Sequence, residues 1–74
     1  GLPTVEVSQK EMSILDLLVE ANLVSSKGEG RRLIQGGGAK IDDVAVTDEN
    51  MTCAIAGTIK VSAGKKKHVL VKAA

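Results

Sequence analysis

The spacing of apolar residues changes along this 74-residue chain, and each change predicts an element. Ile14, Leu17, Leu18 and Ala21 recur at the i, i+3, i+4, i+7 spacing of a buried helical stripe, which Leu15 and Val19 widen. Ser13, with Asp16 three residues on, is a helix start signal, and Asn22 tolerates the left-handed backbone that ends many helices. Residues 14–21 are therefore expected to be helical, with Asp16 and Glu20 on the remaining face. A second start signal, Ser26 with Glu29, follows after a connection short enough to make a tight helix pair. At about 100° per residue, Gly30, Leu33 and Ile34 fall within one arc that can face the core. Lys27, Arg31 and Gln35 form an i, i+4, i+8 column beside that arc, and Arg32 lies further round toward solvent. Glycine costs about 1 kcal/mol relative to alanine in a helix interior. Gly30 on the buried arc offers close approach to the first helix in return. Gly36, Gly37 and Gly38 end the helix, one of them supplying the left-handed cap.

Elsewhere the period is two. Thr4 to Val7 alternates behind Pro3 and reads as a short extended segment at a sheet edge. Ser8 to Glu11 spells S-x-x-E, a capping box that would close one helical turn. Ala39 to Ile41 and Val44 to Val46 alternate around Asp42-Asp43, which predicts a hairpin with the aspartates at its turn. Thr47 to Asn50 is polar and loop-like, and Met51 to Ile55 fits either an extended piece or a single helical turn. Thr58 to Ser62 and His68 to Lys72 are strands that present Ile59, Val61, Val69 and Val71 to one face, joined by a glycine-containing turn, Ala63 to Lys67. The expected architecture is α+β: a helix pair followed by a small, mostly antiparallel β-sheet.

A chain of this length with 43% apolar residues forms one domain with a single small core. Such a core rarely supplies more than about 3–5 kcal/mol, so a piece of a larger protein is the favoured expectation. The start at Gly1 and the run GLPTVEV agree with it, residues 1–7 reading as the end of an interdomain linker. No secretory signal or membrane-length apolar run is present. The single Cys53 forms no internal disulfide, and with one histidine it falls short of a zinc site. A reducing, cytoplasmic setting fits, and neither metal nor cofactor is implied.

The net charge of +1 hides segregation along the sequence. Residues 1–24 carry −3 and residues 25–41 carry +3, from Lys27, Arg31, Arg32 and Lys40 against Glu29. Residues 42–57 carry −4 and residues 58–74 carry +5, with no acid in the last block. A fold that joins the two basic blocks makes a positive face; otherwise these charges are an ordinary solvated mixture.

No catalytic constellation stands out. His68 reads as structural or solvent-facing, with a phosphate contact as the alternative, and Cys53 reads as a small core residue. The pairs Asp42-Asp43 and Asp48-Glu49 serve turns more readily than a metal, and Met12 and Met51 look like gap fillers. GxGxxG would need a glycine where Leu33 stands, so no dinucleotide fingerprint is present. The absence of aromatic residues removes the stacking platform on which single-stranded RNA is usually read. What remains are lysines and arginines suited to phosphates and to the shape of a structured RNA. An acidic protein surface is the other partner such a face would fit.

The run SILDLLVEANLVSSKGEGRRLIQGGGAKIDD resembles the RNA-binding module named after ribosomal small-subunit protein four, the alpha-L RNA-binding motif. With PTVEVS and the closing GKKKHVLVK, nearly the whole chain is similar to the C-terminal domain of bacterial tyrosyl-tRNA synthetases. The resemblance implies a non-catalytic domain that holds tyrosine tRNA through its variable arm and adjoining stem. It also implies a covalently linked catalytic domain that activates tyrosine with ATP, whose signature motifs these residues lack. The matching RNA-face positions are Lys27, Arg31, Arg32, Gln35 and Lys40, with Lys65, Lys66 and Lys67 as a second cluster. Gly30 stands where the motif commonly has alanine, and Gly28 is also a departure. The alternatives are the same module in a ribosome-associated factor or RNA-modifying enzyme, or a protein interaction domain.

Overall fold

The computed structural model describes residues 2–74; Gly1, the first residue of the expected linker, lies outside them. The elements run β1 (Thr4–Val7), β2 (Glu11–Ser13), α1 (Ile14–Glu20), α2 (Lys27–Gln35), β3 (Ala39–Ile41), β4 (Val44–Ala45), β5 (Thr52–Ala54), β6 (Thr58–Ala63) and β7 (Lys67–Ala73). Five strands form one sheet in the order β1-β7-β6-β3-β4, and β2 pairs with β5 in a second, two-stranded sheet. Every pairing is antiparallel except β1 with β7, which is parallel. The architecture is the expected α+β one, with two strands ahead of the helix pair.

Both helices begin as their sequences predict. The Ser13 hydroxyl accepts from the Asp16 N–H at 3.2 Å, and the Ser26 hydroxyl accepts from the Glu29 N–H at 3.2 Å, each satisfying a donor that has no helical acceptor. The reciprocal half of the second box falls one residue early: the Glu29 carboxylate takes the Ser25 hydroxyl at 2.8 Å. α1 ends one residue short of expectation, with Ala21 as its cap and Asn22 in the left-handed region at φ 59. α2 ends at Gly36, after which Gly37 takes φ 75.

Gly30 earns its place by proximity. A Cβ there would meet the Leu15 Cδ2 at 3.2 Å and the Leu18 Cδ1 at 3.5 Å, so the helix pair closes over the missing side chain. Ile14, Leu17 and Leu18 of α1 are wholly buried and meet Val61 and Val71, also wholly buried, in one apolar cluster that includes Ile34, Ala39, Ile59 and Val69. The helix pair thus covers one face of the five-stranded sheet. Lys40, Lys60 and Lys72 alternate with the buried positions and occupy the other face.

The β3–β4 hairpin turns through Asp42 (φ 49) and Asp43 (φ 69), the left-handed pair that a two-residue primed turn requires. The Asp42 carboxylate also accepts from the Lys60 N–H at 3.0 Å, which ties the turn to β6.

One expectation fails. Ser8 to Glu11 forms no helical turn; Glu11 opens β2, whose Met12 stands opposite Cys53, and the Lys10 carbonyl accepts from the Ile55 N–H at 2.8 Å. A lone capping box is worth about 1 kcal/mol, whereas pairing with β5 satisfies several backbone groups and buries Met12. The same pairing settles Met51 to Ile55, which is extended over Thr52–Ala54.

Candidate nucleic-acid interface

The periodicity of α2 gives its charged groups two flanks. Leu33 and Ile34 face inward, and Lys27, Arg31 and Gln35 stand on one side of that arc while Glu29 and Arg32 stand on the other. The fold treats the two sides differently. On the first, the Lys27 ammonium lies 3.0 Å from the Asp16 carboxylate of α1, and the Arg31 guanidinium 2.9 Å from the Glu49 carboxylate, in the loop after β4. Gln35 is exposed on the same side.

On the second flank, α2 faces the β6–β7 turn across an open groove of about 660 Å³. Leu23, Val24, Leu33 and Ala63 give it an apolar floor, Arg32 and Glu29 form one wall, and Lys65, Lys66 and Lys67 form the other. A tertiary contact sets this geometry. The Gly64 N–H donates to the Gly38 carbonyl at 2.7 Å, so the lysine turn is fastened to the glycine exit of α2. Gly64 itself sits at φ 69.

The expected site residues therefore divide. Arg32 and Lys65 to Lys67 come together; Lys27, Arg31 and Gln35 do not join them. Lys40 lies on β3 opposite Ser62 of β6, on the sheet face turned from the helices and outside the groove. Among the described residues the ion pairs are Lys27–Asp16, Arg31–Glu49 and Lys60–Asp43, and none involves Arg32 or the turn lysines. Both basic blocks of the sequence thus contribute to one groove, while the acidic blocks neutralise cations elsewhere.

The Asp16 carboxyl is held below its ordinary pKa, first by the Lys27 ammonium and then by the Ser13 hydroxyl. The Asp43 carboxyl is likewise lowered, chiefly by Lys60. Burial pushes the Cys53 thiol up, in keeping with a packing role opposite Met12. Asp48 caps its own turn by accepting from the Asn50 N–H at 2.9 Å.

Two contributors escaped the sequence reading. Glu29 is a groove residue as well as a cap, and the Gly38–Gly64 contact joins positions too far apart for any local pattern to signal.

The model of the tyrosine–tRNA ligase SYY-like C-terminal domain family matches residues 1–71. The chain belongs to that family. A tyrosine–tRNA ligase of Bradyrhizobium diazoefficiens is 46% identical over all of this chain and 20% of its own length. That of Rickettsia africae is 50% identical over 97% of this chain and 20% of its own length, and that of Novosphingobium aromaticivorans is 43% identical over 99% and 18%. The domain thus spans about one fifth of the length of these curated relatives. No helix among the described residues is long and apolar enough to cross a membrane.

Proposed function

We propose that this domain binds tRNA for a tyrosine–tRNA ligase of which it forms the C-terminal part, with tyrosine tRNA as the partner and the cytoplasm as the setting. The observation that carries this reading is the groove between α2 and the β6–β7 turn, where Arg32 and Lys65 to Lys67 converge and, among the described residues, none of the four is ion-paired, the one carboxylate of the lining, Glu29, being engaged by the Ser25 hydroxyl. Cations gathered on a rigid edge suit the phosphates of a folded RNA. The absence of aromatic residues argues for phosphate and shape contacts over base stacking. The domain contributes affinity and orientation, holding the long variable arm and adjoining stem so that the acceptor end reaches a remote catalytic domain.

If all four groove cations meet phosphates, they add about 3 to the slope of log affinity against log salt, which is roughly 50- to 150-fold between 50 and 200 mM. The test is a titration of the full-length ligase with tyrosine tRNA and with a version lacking the variable arm, at those two concentrations. Tighter binding of the intact tRNA supports the reading; equal affinity for both RNAs would sink the variable-arm assignment.

A further inference from the structure

His68 engages both of its ring nitrogens. It stands opposite Ser62 across the β6–β7 ladder, with Nδ1 2.8 Å from the Ser62 Oγ and Nε2 3.1 Å from the Lys65 carbonyl oxygen. A carbonyl oxygen only accepts, so Nε2 carries the proton it shares with Lys65, and in the neutral ring Nδ1 accepts the Ser62 hydroxyl hydrogen. Ser62 is 1% exposed, and among the described residues it is the one buried polar side chain. A buried hydroxyl needs an internal partner, and His68 is that partner. The imidazole is thereby fixed along one edge by a buried group, and with its other edge it holds the backbone of the first turn lysine. Next to it in sequence, Gly64 is fastened to Gly38. Consecutive residues of the lysine turn are therefore anchored at two places, the connection between α2 and β3 and the His68 side chain of β7.

We propose that His68 is a positioning residue for the phosphate groove: by holding the Lys65 carbonyl it presets the Lys65 to Lys67 turn opposite Arg32 before RNA arrives. The inference rests on the RNA-binding reading above. A loose turn bearing three long side chains loses backbone and side-chain freedom when it binds, and a turn already ordered loses less. The effect falls on affinity at every salt concentration. It does not fall on the number of counterions released, because the ring nitrogens are occupied and the phosphates are met by the lysines.

The full-length ligase is titrated with tyrosine tRNA across a salt series as wild type, His68→Leu, His68→Gln, Ser62→Ala and a triple variant with Lys65, Lys66 and Lys67 changed to alanine. Hydrogen–deuterium exchange of the segment 63–68 is followed in the same proteins without RNA. His68→Leu is expected to weaken binding roughly five- to tenfold with an unchanged salt slope, and to speed exchange in the turn. Ser62→Ala moves both in the same direction and less far. Glutamine offers an acceptor and a donor on one planar amide, so His68→Gln returns affinity to within about twofold of wild type. The triple variant lowers the slope. If the triple variant binds like the wild type, the RNA reading falls and this inference falls with it. If the triple variant is weakened but His68→Leu binds like the wild type, the inference alone is overturned. A slope reduced by about one in His68→Leu, or a glutamine variant as weak as leucine, also overturns it.

Discussion

The two flanks of α2 carry similar basic residues one position apart, yet Arg31 and Arg32 end in opposite circumstances. Arg31 shares its flank with Lys27, and each meets a carboxylate from a neighbouring element, Glu49 and Asp16. Arg32 looks across an apolar floor at three lysines. The first flank is electrostatically closed and the second open. The i, i+4, i+8 column was the more conspicuous basic feature of the sequence, and it is the one the fold neutralises. A charge that periodicity pushes to the surface becomes available to a partner only if no acid folds beside it.

The harshest way to break this comparison is to destroy the helix pair that creates both flanks. Gly30→Leu forces a side chain into a space where Cβ alone would lie 3.2 Å from Leu15, and the expected loss is about 2–4 kcal/mol of folding stability. Far-UV circular dichroism in a urea titration reads it, since the chain has no aromatic fluorophore; an unchanged midpoint would show that α1 and α2 do not close on Gly30. Next in size is the direct contrast between neighbours. Arg32→Ala should weaken tRNA binding about five- to tenfold and lower the salt slope by about 0.7–0.9, whereas Arg31→Ala should change affinity less than about twofold. Equal losses in parallel salt titrations would erase the distinction between the flanks.

Gly28→Ala serves as a control that touches neither flank. Its Cβ would meet only the Ser26 Oγ at 3.9 Å, so the variant should gain about 0.5–1 kcal/mol in the same urea titration and leave tRNA affinity unchanged. The smallest effect concerns acid. Because Lys27 holds the folded-state pKa of Asp16 below its unfolded value, the pair's stabilisation is complete above the unfolded carboxylate pKa. It is lost as pH falls through the folded value. Asp16→Asn should therefore make stability slightly less dependent on pH on the acid side, measured by urea titrations between pH 3 and 6. A variant whose acid dependence equals that of the wild type would remove Asp16–Lys27 as a contributor.

Legibility followed the range of the interactions. The caps at Ser13 and Ser26, the left-handed Asn22, the glycine exit of α2 and the Asp42-Asp43 turn are decided within a few residues, so composition and spacing sufficed. The Ser8 to Glu11 segment carried an equally local signal that was false, because its partner strand β5 lies some forty residues away. That periodicity sends the basic residues of α2 to the surface was legible, while their grouping with the lysine turn was not. Periodicity separates Arg31 from Arg32 on the helix, but nothing local shows that Arg31 meets Glu49 while Arg32, among the described residues, meets no acid, or marks His68 as the partner of Ser62.

By itself, then, the sequence determined the helix pair, its inward arc, the hairpins and the segregation of charge into blocks, since each depends on short-range periodicity or backbone conformation. Only the tertiary structure decided which cations meet acids and which meet one another. The contact from Gly64 to Gly38 brings the lysine turn to Arg32, and the contacts of Glu49 and Asp16 close the opposite flank. Those outcomes depend on the register and packing of elements distant in sequence, and so on the sum of the fold rather than on any stretch of it.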